Sequence, residues 1–454
     1  MNINEMIKAV KGRLISGGRG GTDIDLSTIS TDSRTVKEGD FFLPLKGNNF
    51  NGEDYIEAAF KNGAIGTFTT VDGRWSTAYG KIVIRVKDTT DALQMLAHRN
   101  RVKYKVPVVG VTGSNGKTTV KDMIAKVLSS KFNVLKNEGT KNNHIGVPLT
   151  LLKLNKSYDI CVVEMGTNHH GEIRLLADIA RPTVVVITNI GPSHLEFLRD
   201  LKGVFAAKRE ILEALSKESL AIVNGDDEYL SKIKSSDFKV MRFGMNTSGD
   251  FHASRVTIDE AGIKFTLNDR SSFALGLIGA HNVYNALAAI AVAYNFDISY
   301  LDTKKALSEY SPAGMRLNAI QAGGITVIND AYNSNPLSMR SAIEALIGYP
   351  AKGKWIVSAD MLELGQGEEE FHKTVGETIA RSGFSGLITF GPLSKHTSSR
   401  ALECGMDKKR VWHCSDRAKI VDILKNSMNE GDAVLVKGSR AMKMEEVAEN
   451  LKGK

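Results

Sequence analysis

Residues 106–112, VPVVGVT, form an apolar, β-branched run, which predicts a strand buried on both faces of a parallel sheet. Just beyond it, Val120, Met123, Ile124, Val127 and Leu128 recur at the spacing that places them on one face of a helix. Further buried strands are expected at 160–164, 183–188 and 220–224, with helical patterns between them such as 202–215. Strands alternating with helices predict a doubly wound, mostly parallel sheet. An alanine-rich helix at about 282–294 closes this unit. Ser311-Pro312-Ala313-Gly314 then breaks both periodicities and reads as a linker. After it the alternation resumes. Strands are expected near 325–329, 355–359, 387–390 and 433–436, and helices near 338–347, 371–381 and 419–428, a smaller Rossmann-like α/β unit. Ahead of residue 106, short apolar runs at 40–45, 64–70 and 81–86 alternate with helical stretches at 54–62 and 91–105. The expected fold class is α/β in three domains: a small mixed α/β unit at 1–105, a central doubly wound parallel sheet at 106–312, and a Rossmann-like unit at 313–454. A length of 454 residues agrees with about three domains.

Composition narrows the class. Hydrophobic residues are 42% and charged residues 24%, which excludes a mostly disordered chain. No apolar run is long enough to predict a membrane span, and the first residues lack the apolar stretch of a secretory signal. The net charge of +8 is spread along the chain, without aromatic interleaving. That favours anionic small molecules over nucleic acid as partners. The three cysteines show no CxxC spacing, which suggests a reducing compartment.

The strongest chemical signal is Gly110-Val-Thr-Gly113-Ser114-Asn115-Gly116-Lys117-Thr118-Thr119, between a predicted strand and a predicted helix. Glycines there let backbone N–H groups turn toward phosphate oxygens, and the helix N-terminus adds partial positive charge. Lys117 would reach the β- and γ-phosphates, and the Thr118 hydroxyl would bind Mg²⁺. The first glycine stands one position earlier than the strict GxxxxGK[ST] spacing, which would require it at Val111. Such a loop marks a nucleotide site on the central sheet without choosing a reaction. Glu164 ends the buried run CVVE, where ligands bind in open α/β sheets, and offers a hard oxygen to Mg²⁺. His194 follows another strand. By itself a lone histidine is more often structural, and Lys208, on a helical stretch, reads as a solvated charge.

TGSNGKTT, VVEMGTNHHGEI, NIGPSHLE followed by AAKREI, GAHNVYNALAA, and AGMR followed by NDAYNSNP resemble, in order, the motifs of the Mur ligases. These are the ATP-dependent amide-forming enzymes of peptidoglycan precursor synthesis. The resemblance spans essentially the whole chain, and the family's loop shares the early first glycine. EMGTNHHGEI, NDAYNSNPLSM, DMLELGQGEEEFHKTVG and VKGSRAMKME resemble the member that adds the terminal dipeptide. ISTDSRTVKEGDFF is similar to the family's uridine-nucleotide domain. The Asp-Asn-Pro-Arg type signature expected of the sibling that adds the third residue is absent. That sibling, a polyglutamate ligase and an ATP-driven nucleotide switch are the rival readings.

The resemblance implies a reaction between UDP-N-acetylmuramoyl-tripeptide and D-alanyl-D-alanine, ATP with two Mg²⁺ ions, and a bacterial cytoplasmic monomer. It implies that Gly113, Ser114, Asn115, Gly116, Lys117, Thr118 and Thr119 hold the ATP phosphates. Thr118 and Glu164 would bind one Mg²⁺. His194 and Lys208 would serve a second, with Lys208 carbamylated by CO₂. His281, Asn282 and Asn285 would lie near the nucleotide base, Arg316 at the γ-phosphate and Asp330 at the ribose. Ser33, Arg34, Thr140, Asn142 and Asn143 look like contacts to the UDP-sugar. Tyr332, Asn333 and Asn335 are candidates to grip the dipeptide. Lys141, His144 and His170 stand where relatives often carry Leu, Glu and Pro.

Overall fold

The computed structural model describes residues 1–17, 23–72, 80–247, 249–259, 261–312 and 314–452. It is α/β, as expected, with three separate sheets along the chain. Ala313, in the expected linker, lies outside the described residues.

The first sheet contains β1 (Arg13–Ser16), β2 (Ile29–Ser30), β3 (Phe41–Phe42), β4 (Gly66–Thr69) and β5 (Ile82–Arg85), in the order β1-β5-β4-β3-β2. Only β1 runs antiparallel to its neighbour. The apolar run expected as a strand at 40–45 contributes just two paired residues, Phe41 and Phe42. The helix Thr89–Lys103 leads out of this unit, N-capped by the Asp88 side chain on the Asp91 amide.

The second sheet comprises β6 (Val108–Thr112), β7 (Val134–Lys136), β8 (Ile160–Glu164), β9 (Val184–Ile187), β10 (Leu220–Asn224), β11 (Lys239–Gly244), β12 (Phe251–Asp259), β13 (Gly262–Leu267) and β14 (Ser271–Leu275). Its order is β14-β13-β12-β11-β10-β9-β6-β8-β7. From β12 to β7 every pair is parallel. The strands β6, β8, β9 and β10 carry continuous Val/Ile runs because both faces are covered. β12, β13 and β14 form an antiparallel extension that the buried-run reading did not predict. Their buried and exposed positions alternate, as in Gly262–Leu267, so they lack the apolar continuity of the strands beside them. The chain passes from β8 on one side of β6 to β9 on the other. The carboxyl ends of these three strands therefore open a crevice at a topological switch point.

The third sheet holds β15 (Asn318–Ala322), β16 (Ile325–Asp330), β17 (Lys354–Ala359), β18 (Gly386–Phe390), β19 (Val411–Cys414) and β20 (Ala433–Lys437), ordered β15-β16-β20-β17-β18-β19. All pairs but β15–β16 are parallel. Apolar clusters cover both faces, one around Ile328, Ile356 and Leu435, the other around Val327, Val357 and Val436. The carboxyl ends of β16, β20 and β17 face the crevice of the central sheet, and a cavity of about 1190 Å³ lies between them.

Candidate active site

The phosphate loop leaves β6 at Thr112 and enters the helix Lys117–Leu128. Gly113 and Gly116 have φ of 144° and 81°, conformations side chains rarely adopt. A Cβ at Gly113 would collide with the Thr188 hydroxyl, and one at Gly116 with the Asn285 amide. The loop is braced from β9's carboxyl end. Asn115 N donates to Asn189 Oδ1 at 3.0 Å, Thr188 Oγ1 donates to the Asn115 carbonyl at 2.6 Å, and Ser114 Oγ donates to the Gly191 carbonyl at 2.9 Å. Thr188 and Asn189 thus belong to the site although the sequence reading passed over them. Their only signal in the sequence is position, as the two residues that follow β9. Lys117 folds onto the loop, donating to the Gly113 and Ser114 carbonyls at 2.8 and 3.0 Å. Burial holds its pKa below the ordinary lysine value, against the pull of Glu164.

Glu164 is fully buried at the end of β8. Its carboxylate accepts from Thr118 Oγ1 at 2.8 Å and from Asn142 Nδ2 at 2.7 Å, and its amide donates to Asn137 Oδ1 at 2.9 Å. Thr118 in turn accepts from Arg316 Nη2 at 2.9 Å, so a residue of the C-terminal segment reaches the phosphate-loop helix. Arg316 also lies over the Tyr332 ring at 4.1 Å. Asn115 and Asn335 exchange hydrogen bonds at 2.8 and 3.2 Å across the same cleft. Asn335 also N-caps the helix Pro336–Gly348 through a capping box with Ser338. The turn before a helix and the cleft contact are therefore one feature.

His281, Asn282 and Asn285 open the helix His281–Asn295 on the cavity wall. Asn285 Nδ2 donates to Asn282 Oδ1 at 2.8 Å. Burial drives the His281 pKa down to about 4, although Asp330 favours its charged form. Asp330, at the end of β16, accepts from Lys437 Nζ at 2.6 Å and from the Leu317 amide at 3.1 Å. Lys437 is fully buried, also donates to the Asn333 carbonyl, and was not singled out from sequence. Ser334 has a buried hydroxyl with no hydrogen-bond partner among the described residues.

Other expected residues are not among those lining this cavity. Lys208, read alone as a surface charge, is 2% exposed. Burial and the nearby Lys117 charge hold its amine well below the ordinary lysine pKa. Ser33, Arg34 and Thr140 do not line the cavity, whereas Asn142, Asn143 and His144 do. Arg34 turns its guanidinium onto Asp32, whose carboxyl its hydrogen bonds lower to about 2. Asn143 accepts from the Ile145 and Gly146 amides, shaping the turn into the helix Gly146–Leu152.

Among the described residues no three His, Cys, Asp or Glu side chains converge on one point. Mg²⁺ does not require such a cage, since it binds through one or two carboxylates and completes its shell with waters and phosphate oxygens. Thr118 Oγ1 and Glu164, in contact beside the phosphate loop, are a hard-oxygen pair of that kind.

Three family models match the chain: Mur ligase family, catalytic domain, over residues 25–101; Mur ligase middle domain over 111–293; and Mur ligase, glutamate ligase domain over 315–440. The UDP-N-acetylmuramoyl-tripeptide–D-alanyl-D-alanine ligase of Bacillus subtilis is 39% identical over 433 residues, which cover 93% of this chain and 92% of that protein. A crystal structure of MurF from Acinetobacter baumannii superposes with a TM-score of 0.89 at 30% identity, covering 99% of this chain and 98% of its own. The MurF ligase of Thermotoga maritima, solved in complex with ADP, gives 0.83 at 29% identity over 95% and 98%. A UDP-N-acetylmuramoyl-L-alanyl-D-glutamate–2,6-diaminopimelate ligase gives 0.53 at 18% identity, a likeness of fold alone. With the three models matched in chain order, and with likeness across nearly its whole length, the chain belongs to the Mur ligase family.

Proposed function

We propose that this ligase joins D-alanyl-D-alanine to UDP-N-acetylmuramoyl-tripeptide, converting ATP to ADP and phosphate through an acyl phosphate. The observation that carries the chemistry is the hydrogen-bonded series Arg316–Thr118–Glu164 at the first turn of the phosphate-loop helix. It gathers a cation and a carboxylate–hydroxyl pair beside the loop. The full-length likeness to relatives named for this reaction supports the choice of substrates.

A carboxylate is a poor electrophile, and joining it to an amine in water is uphill. In the proposed first step, an oxygen of the tripeptide's terminal carboxylate attacks the γ-phosphorus and the bond to ADP breaks. The amine of the dipeptide then attacks the acyl carbon, the amine proton is lost, and the C–O bond to phosphate breaks. Two anions must meet in the first step. The amides of residues 113–119 and the cations Lys117 and Arg316 neutralise that charge in this reading. Thr118 and Glu164 would hold one Mg²⁺, and His194 with Lys208 a second. The bound ions supply charge neutralisation and orientation of the phosphates.

Carbamylation of Lys208 belongs to this reading. CO₂ adds only to a neutral amine, with loss of a proton, and burial makes the neutral form accessible. The product is an oxygen ligand in place of a cation. His281, Asn282 and Asn285 are assigned to the nucleotide base, Asp330 to the ribose, and Asn142 and Asn143 to the acceptor. Tyr332, Asn333 and Asn335 are assigned to the dipeptide. Ser33, Arg34 and Thr140 are assigned to the uridine nucleotide, outside the large cavity. The proposed domains 1–105, 106–312 and 313–454 would hold the UDP-sugar, the ATP phosphates, and the dipeptide with the ribose. We place the enzyme in the bacterial cytoplasm as a monomer. Its three free cysteines fit a reducing compartment.

The test is phosphate release from Mg-ATP with UDP-N-acetylmuramoyl-tripeptide, with and without D-alanyl-D-alanine. Release that needs both, with a product heavier by the dipeptide, is expected. Release indifferent to both would favour a nucleotide switch. Release with glutamate or a diamino acid as the amine would favour a sibling ligase.

A further inference from the structure

Glu363 lies on the segment between β17 and the helix Glu368–Arg381, and it reaches across the cleft to the central sheet. Its Oε2 is 2.6 Å from His194 Nδ1. Its carbonyl also accepts from the Glu196 amide at 3.2 Å, so backbone and side chain both cross. Two further observations single the pair out. His194 and Glu363 both have positive φ, 54° and 63°. Such backbone is unfavourable outside glycine and persists where its surroundings enforce it. Both side chains also line the large cavity.

An ionised carboxylate only accepts hydrogen bonds, so the proton between these atoms is on Nδ1. Nε2 is then the ring nitrogen left to meet a cation, and no hydrogen bond to it is found among the described residues. We propose that Glu363 is a positioning residue for the ligase reaction. By holding the Nδ1–H tautomer and the ring plane of His194, it presents Nε2 to a divalent cation. Carboxylate–histidine–metal arrangements of this kind fix the ligand's orientation and raise its basicity. The inference rests on the assignment of His194 to the second Mg²⁺. It goes beyond that assignment because the partner comes from the C-terminal sheet. The cation site around His194 is then complete only while the two sheets' loops meet.

The test uses the full chain with Mn²⁺ and a non-hydrolysable ATP analogue. Metal binding is followed by electron paramagnetic resonance and the His194 ring by ¹⁵N NMR. Glu363→Ala is expected to weaken the second Mn²⁺ about 10–100-fold. It should also move the His194 nitrogens away from the Nδ1–H pattern and lower kcat with little change in KM for ATP. Glu363→Gln, whose amide oxygen still accepts from Nδ1, is expected to retain the tautomer and most of the affinity. Wild-type affinity and tautomer in Glu363→Ala, alongside loss of the second Mn²⁺ in His194→Ala, would overturn this inference alone. Undiminished second-site binding in His194→Ala would overturn the metal assignment, and the inference with it.

Discussion

Lys208 illustrates how far a residue's meaning depends on its surroundings. On a helix read in isolation it is a solvated charge, yet here it is 2% exposed with Lys117 for a charged neighbour. An amine so placed is poorly tolerated as a cation. If carbamylation resolves that, Lys208→Ala should abolish amide formation, and added formate should restore part of it by supplying a carboxylate. Full activity in Lys208→Ala, measured by coupled phosphate release, would remove the carbamate from the proposal. His281 offers a test without turnover. Its folded pKa of about 4 lies below the ordinary 6.5, so between these values the unfolded chain binds a proton that the folded chain refuses. Stability from this group is fully present above pH 6.5 and is lost as pH falls toward 4, by at most about 3 kcal/mol. His281→Asn should flatten that part of the profile in urea unfolding between pH 7 and 4. An unchanged slope would mean the ring is not held neutral.

Among the elements, the junction of the phosphate-loop helix with the turn after β7 is held by hydrogen bonds from a buried lysine. Lys121, one turn into the helix Lys117–Leu128, is fully buried and donates to the carbonyls of Asn137 and Gly139 at 3.0 and 2.8 Å. Asn137 then holds the Glu164 amide and the Lys141 carbonyl. One lysine thereby ties the phosphate loop to the turn that carries Asn142. Lys121→Met keeps the length but leaves carbonyls unpaired, at a cost of about 1–3 kcal/mol. Urea unfolding should report that loss, together with a raised KM for the UDP-sugar. Wild-type values for both would show the turn to be held by Asn137 alone. Legibility differs between elements for a physical reason. β6, β8, β9 and β10, buried on both faces, were readable as apolar runs, whereas β12 to β14 alternate and pair antiparallel at the sheet's edge. The expected helix at 202–215 is an α-helix, Leu201–Arg209, continued by a 3₁₀ turn, Glu210–Ala214.

For the molecule as a whole, the central and C-terminal sheets meet through Arg316–Thr118, Asn335–Asn115 and Glu363–His194. Asn335, Asn115, Glu363 and His194 lie on segments that follow the carboxyl ends of strands, and Arg316 enters from the segment just before β15, so all three contacts close around the cavity lined by the phosphate loop. On the proposed reaction, an acyl phosphate formed there would hydrolyse in an open site, and closure around the loop would protect it. Arg316→Ala removes one junction and one cation together. Phosphate release should fall about 10²–10³-fold. Small-angle scattering with bound nucleotide should show a larger radius of gyration than the parent chain. An unchanged radius would confine Arg316 to electrostatics and leave closure to the other two contacts.

The phosphate loop was legible from residue order because its parts are local. A buried strand, two glycines at positive φ and a helix start lie within about a dozen residues, and each follows from side-chain sterics. The alternation of strands and helices likewise announced the α/β class. What residue order left open were relations between distant segments. Glu363 stands 169 residues from His194, Lys437 stands 107 from Asp330, and Asn335 stands 220 from Asn115. No periodicity or spacing encodes such pairs. They arise because strand order carries carboxyl ends from two sheets to one cleft, where burial then sets the charge each group can keep.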